Sequence, residues 1–239
     1  MATPQNLTQM KKSVLHLILL FFLTFAQTDR AQELTGSGIR DGELPCLPSH
    51  GGNDNVSSWC GEESVTQTIA LSAGTNWVSV NVEVTLDDLK AALLEALPSA
   101  AGNAIKITSQ NNGKATWNGR MWTGQMRALD VTQMYKITVP SASEITLQGT
   151  PVNPAEHPVT IVPGANWMGY QLQEGSTVTN IFAGFPTNSD AITSEANGKA
   201  IWNGRMWTGG LRSLVPGEGF IYNSVATEDR VFTFPTNAK

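Results

Sequence analysis

The chain has 239 residues, with 15 Lys and Arg against 20 Asp and Glu and a formal net charge of −5. That balance argues against a nucleic-acid binder, for which a basic stripe is expected, and the length admits one domain or two. With only two cysteines and three histidines, a Cys/His-rich metal centre lacks ligands.

Residues 1–26 read as a targeting segment. Lys11 and Lys12 form a basic flank, an apolar run follows from Val14 to Phe25, and Thr-Phe-Ala precedes a cleavage point after Ala26. Met10 competes with Met1 as the start, because Met10-Lys-Lys is already a compact basic flank. The run is too short to span a bilayer comfortably, and no second long apolar run follows, so no transmembrane segment is expected after its removal. Removal takes away two Lys and no acid; 15 basic residues become 13 against 20 acidic, and the charge moves from −5 to −7. The expected location is secreted or at the cell surface.

Residues 27–66 are rich in Gly, Ser, Asn, Asp and Glu without periodicity, and read as an irregular linker. In an exported chain its two cysteines, Cys46 and Cys60, are expected to form a disulfide. Loop closure would contribute about 3 kcal/mol.

Two similar stretches follow, repeat 1 at 67–148 and repeat 2 at 159–235, with a Pro-rich connector at 149–158. Residues 69–82 align with 159–172 at an offset of 90, matching Gly74 to Gly164 and Asn76-Trp77 to Asn166-Trp167. Each side reads as two short strands around a glycine turn. Thr85 then opens a helix as N-cap, with Asp87 and Asp88 in the first turn and Leu86, Leu89, Leu93, Leu94 and Leu97 along one stripe; Pro98 stops it. The second stretch keeps a shorter version, in which Ile181, Phe182, Phe185 and Pro186 answer Leu93, Leu94, Leu97 and Pro98. Further strand pairs are expected near 133–147 and 217–234, and His157, in the connector, is expected to be exposed and idle. The predicted fold is α+β: two tandem repeats, each a small, mostly antiparallel sheet with one packed helix.

From Ile107 to Leu129 against Ile192 to Leu214, 17 of 23 positions are identical. The block contains N-G-R-M-W-T-G twice, at 118–124 and 203–209. Asn-Gly favours a two-residue type I′ hairpin turn, because both central positions need positive φ. That turn would set Trp117 opposite Arg120 and Ala115 opposite Trp122, placing Ala115, Trp117, Arg120 and Trp122 on one face. Ala200, Trp202, Arg205 and Trp207 would do the same in the second copy. Two readings stay open. The indoles are core, as large aromatics usually are, or they form a stacking surface on which Asn118, Asn203, Arg120 and Arg205 supply directional donors. Packing accepts hydrophobic swaps of similar volume, so unchanged Asn, Arg, Lys and Thr ask for a further reason.

No catalytic arrangement repeats. His50 and His157 lie outside the repeated blocks, and no carboxylate pair aligns between copies: Gln110 faces Glu195, and Asp87 and Asp88 have no counterpart. A non-enzyme is therefore expected, with no cofactor and no metal.

The order G-x-N-W, helix, I-x-S, A-x-W, W-x-G-x-x-x-x-L and P-G-x-G-F resembles a repeat found in exported surface proteins of Bacteroidetes, often near their C-termini. Trp77, Trp122 and Gly124 match in the first copy, and Trp167, Trp207, Gly209, Leu211, Leu214, Pro216, Gly217, Gly219 and Phe220 in the second. The first copy departs at D-V-T-Q-M-Y, where P-G-x-G is lost. The resemblance implies a surface or secreted location. The resulting expectation is a non-catalytic binding module, carbohydrate-binding through its Trp/Arg hairpins. The alternative is a structural or interaction domain of a surface assembly; the partners are a polysaccharide or another surface protein.

Overall fold

The computed structural model describes residues 63–102 and 104–236. The targeting segment, the linker up to residue 62 and the Cys46–Cys60 pair lie outside the described residues. In chain order the first half runs β1 Val65–Leu71, β2 Gly74–Val78, α1 Leu86–Ala96, β3 Lys106–Thr108, β4 Lys114–Trp117, β5 Trp122–Gly124, β6 Tyr135–Val139 and β7 Ser143–Gly149. The second half begins β8 Val159–Ile161, β9 Gly164–Met168, β10 Ser176–Thr177 and α2 Val178–Ile181. It continues β11 Ala191–Ser194, β12 Gly198–Trp202, β13 Trp207–Gly209, β14 Ser213–Leu214, β15 Phe220–Ser224 and β16 Arg230–Phe232.

Strands dominate, helices are few, and the strand pairings are antiparallel. One five-stranded sheet has the order β2-β6-β3-β4-β5; the other has β9-β15-β11-β12-β13. Two-stranded ribbons form from β1 with β7 and from β8 with β16. β1 and β2 thus follow each other across a bend at residues 72–73, with Gly74 opening β2, but they enter different sheets instead of pairing with each other. Asn76 makes the bend: its Oδ1 accepts the Ser72 N–H at 2.8 Å and its Nδ2 donates to the Ser72 carbonyl at 2.8 Å. Asn166 does the same with Val162, at 2.9 and 2.8 Å. A side chain that satisfies both backbone groups of a residue four positions back replaces the hairpin ladder that the turn would otherwise need.

Helix α1 starts where the sequence places it. Thr85 Oγ1 accepts the Asp88 N–H at 3.2 Å, and Asp88 Oδ2 accepts the Thr85 N–H at 2.8 Å, a reciprocal cap. Its Leu86, Leu89 and Leu93, with Leu97 just beyond, join Ile69, Ile107, Ile137 and Ile145 in one buried cluster. α2 is a single turn, and the work of a helix stripe passes to aromatic rings. Phe182 lies 4.8 Å from Phe232, 5.2 Å from Tyr222 and 6.0 Å from Phe220 between ring centres. Ring-to-ring geometry of this kind adds about 0.5–1.5 kcal/mol per pair beyond area burial.

The two sheets meet at a seam of matched hydrogen bonds. Ser79 N–H donates to the Gly217 carbonyl at 3.0 Å, and Gly169 N–H to the Thr132 carbonyl at 2.9 Å. Gly219 N–H donates to the Trp77 carbonyl at 3.0 Å, and Met134 N–H to the Trp167 carbonyl at 3.3 Å. Side chains repeat the exchange: Glu195 Oε2 accepts the Trp77 N–H at 2.7 Å, and Gln110 Oε1 accepts the Trp167 N–H at 2.6 Å. Such mutual exchange is what an isologous contact looks like. It also accounts for the last glycine of P-G-x-G, whose counterpart in the first half is Met134. A Cβ built on Gly219 would lie 2.2 Å from Met134 Cγ, so the methionine of one half occupies the space that the glycine of the other leaves.

Candidate functional site: the two hairpins

The repeated motif forms a hairpin in both places, but not the expected one. Trp117 pairs with Trp122, Thr116 with Thr123 and Ala115 with Gly124, which leaves a four-residue loop at 118–121. Trp202 and Trp207 pair in the same way around 203–206. The two-residue type I′ turn, with Trp117 opposite Arg120, is therefore corrected. Asn118 Oδ1 accepts the N–H groups of Arg120 at 3.0 Å and Met121 at 2.9 Å, and Asn118 N–H donates to the Met121 carbonyl at 3.1 Å. Asn203 reproduces this set at 3.0, 2.9 and 3.2 Å. With the amide capping the loop, only the glycine takes positive φ, 91° at Gly119 and 89° at Gly204.

The register moves Arg120 and Arg205 off the tryptophan face to the exposed tip. The indoles stay together: ring centres are 5.8 Å apart for Trp117–Trp122 and 5.6 Å for Trp202–Trp207. They pack toward the cores with Ala115 and Ala200. Trp207 is 4% exposed and lies 6.1 Å from Phe182, whereas Trp117, Trp122 and Trp202 are half-buried. The indole N–H groups of Trp122 and Trp207 are buried without a partner among the described residues.

Gly124 and Gly209 are fixed by a close approach. Their φ values are 119° and 127°, and a Cβ on either would lie 2.2 Å from the carbonyl oxygen of Lys114 or Lys199. Those carbonyls accept two N–H groups each, from Gln125 and Met126 and from Gly210 and Leu211. Thr123 Oγ1 donates to the Thr116 carbonyl, and Thr208 Oγ1 to the Ile201 carbonyl, both at 3.1 Å. Of the seven repeated residues, Asn, Gly, Trp, Thr and the last Gly each have a structural task. Arg and Met have none visible: Arg120 and Arg205 make no side-chain hydrogen bond or ion pair among the described residues, and Met121 and Met206 are 58% and 56% exposed.

Three arrangements were missed from sequence. Lys136 Nζ sits 4.2 Å above the Trp167 ring and 5.0 Å above Trp77, so one ammonium joins the two halves at the seam. His157 is not idle, because its Nε2 lies 2.9 Å from Glu83 Oε1. Asp190, with no exposure, accepts from Tyr222 Oη at 2.6 Å, Arg230 Nη2 at 2.8 Å, Thr187 N–H at 2.8 Å and Val225 N–H at 2.8 Å. Burial pushes this carboxyl up, but the hydrogen bonds from Tyr222, the two amides and Arg230 together hold it below the usual carboxylate range. The sequence carried no signal for it: Asp190 follows Thr187, Asn188 and Ser189 in a polar loop and stands out only beside its partners.

Among the described residues, no three His, Cys, Asp or Glu side chains gather as a metal-binding group, and no helix is long and apolar enough to cross a membrane. The chain matches no protein-family model, no curated protein and no solved structure in the comparisons made.

Proposed function

We propose that the chain is a tandem of two structural repeats, 67–148 and 159–235, each a small antiparallel sheet with a packed helix. It serves as a non-catalytic binding module of a secreted or surface-exposed protein, contacting a polysaccharide or another surface protein. The matched strand orders and the reciprocal seam support the tandem. The leader pattern of residues 1–26 and the resemblance to exported Bacteroidetes repeats support the location. A repeated block without His, Asp or nucleophilic Cys supports a non-catalytic role.

The observation that carries the reading is the Arg-Met pair at each hairpin tip, the only part of the exact repeat left without a structural task. An Arg beside an exposed thioether suits a contact surface, since Arg and Met are enriched at interfaces. A stacking platform made of all four tryptophans loses support at Trp207, which the second core covers; Trp117 and Trp202 keep partial access. The test is a full-length variant carrying Arg120→Ala, Met121→Ala, Arg205→Ala and Met206→Ala, compared with wild type on a glycan array and on immobilised surface-protein fractions. Retention of the wild type that the variant loses, with unchanged melting, supports the module. Equal retention by both, or failure of the variant to fold, contradicts it.

A further inference from the structure

On the opposite side of the first sheet from its tryptophan pair, the strand registers line up two rows of side chains. One row runs across all five strands: Thr75, Thr138, Lys106, Thr116 and Thr123. The other crosses four: Trp77, Lys136, Thr108 and Lys114. Alternation places these residues on the outward face, because Ile107, Ile137 and Ala115, their neighbours along the strands, are in the core. The five strands contain no Asp or Glu. Lys106 and Lys114 are exposed, and the ion pairs among the described residues involve other groups: Lys90 with Asp87, His157 with Glu83, Arg230 with Asp190. Lys136 is held at the seam between Trp167, at 4.2 Å, and Trp77, at 5.0 Å, so the ammonium groups the face offers outward are those of Lys106 and Lys114. The carboxylate nearest in the hydrogen-bond pattern is Glu195, engaged with the Trp77 N–H at the inner edge.

In a chain of net charge −5, an acid-free face with three lysines and five threonines is a local reversal of sign. We propose that this face binds a stretch of anionic polysaccharide, with carboxylate or sulfate groups on the lysines and sugar hydroxyls on the threonine row. Adjacent strands lie about 4.8 Å apart, so the five-strand row spans roughly 19 Å, enough for several sugar units in an extended chain. A bilayer fits less well, because none of the exposed large apolar side chains, Met121, Val162, Ile201, Met206, Val215, Val225 and Val231, stands in either row. The equivalent rows of the second sheet read Ala165, Asn223, Ala191, Ile201, Thr208 and Trp167, Ile221, Thr193, Lys199. With a single lysine, that face is not a second copy of the site.

The inference rests on reading the chain as a binding module, but it uses a surface other than the hairpin tips. The test is affinity electrophoresis of the full chain in gels containing alginate, heparin, neutral dextran or single-stranded DNA, with Lys106→Gln/Lys114→Gln and Arg120→Ala/Arg205→Ala as separate variants. Both pairs are exposed, so the variants should melt like wild type. The proposal expects retardation by alginate or heparin and not by dextran. It also expects the slope of log affinity against log salt to fall by about two in the lysine variant, one per removed charge. It is overturned if wild type passes unretarded through both acidic polysaccharides, if the lysine variant is retarded as strongly as wild type, or if DNA retards it equally. Loss with the arginine variant alone also overturns it while leaving the tip-borne module standing. Loss with neither variant overturns it as well, and leaves the tip-borne module to its own test on surface-protein fractions.

Discussion

The two five-stranded sheets share strand order, bend, loop and seam geometry, yet they differ inside and out. Ile105 and Asp190 occupy the same place, as shown by the Trp117 and Trp202 N–H groups donating to their carbonyls at 3.0 and 2.9 Å. Ile137 and Tyr222 correspond as well, paired with Ile107 and Ile192. The first half therefore places isoleucines where the second places a buried carboxylate and a tyrosine, and Ser143, paired with Leu71, where the second places Arg230, paired with Ile161. Outside, lysine and threonine stand in the first sheet where alanine and isoleucine stand in the second. Exact identity between the halves marks mainly the backbone's needs: an amide to cap a loop, a glycine under a carbonyl, an indole against the core. The residues proposed to meet a polyanion lie largely where the halves disagree.

The strongest way to break this comparison is at Asp190. Asp190→Ala should destabilise the chain by about 3 kcal/mol, the low end for unpairing a buried charge, because Arg230 retains some solvent access. Urea unfolding measures it, and Ile105→Val, a methylene deletion in the same place, should cost only about 0.5–1.5 kcal/mol. A pH series sharpens the point. The Asp190 carboxyl is held low in the fold, so its contribution is present above the ordinary carboxylate range and is lost as pH falls through the lowered value. Asp190→Asn should flatten that acid limb; an unchanged limb would place the loss elsewhere.

A smaller effect is expected at the seam. Gln110 both accepts from Trp167 N–H and donates to the Ala165 carbonyl at 2.7 Å. Glu195, in the equivalent position, accepts from Trp77 N–H, but an ionised carboxylate has no proton for the Thr75 carbonyl. Glu195→Gln should therefore stabilise the chain by about 0.5–1 kcal/mol, and Gln110→Glu should do the reverse. Both are read from denaturation midpoints at neutral pH, and a destabilising Glu195→Gln would refute the equivalence.

Much of the frame was legible because its signals are local. Thr85 with Asp88 announced the helix start, and G-x-N-W announced the bend, though not that its asparagine would send β1 and β2 into different sheets. The hairpin was visible in Asn-Gly, but its register was not. The Asn118 side chain satisfies two amides that a two-residue turn would leave to the backbone, and both registers keep Trp117 and Trp122 on one face, so the apolar pattern does not choose between them. Burial of Trp207 comes from Phe182, 25 residues away in sequence, and the lysine rows come from pairing between strands as distant as Thr75 and Thr138. The Gln110–Trp167 and Glu195–Trp77 bonds cross between halves, and spacing along one chain carries no trace of them.

The central claim is that the tryptophans of the repeated motif hold the fold while ligand contact lies outside them. The most direct measurement is site-resolved oxidation of tryptophan by N-bromosuccinimide in the folded chain, read by mass spectrometry. Trp207, 4% exposed, should be the slowest of the described tryptophans, with half-buried Trp77 and Trp167 oxidised earlier. Oxidation of Trp207 at the rate of the unfolded chain would contradict the claim and return the motif to the surface.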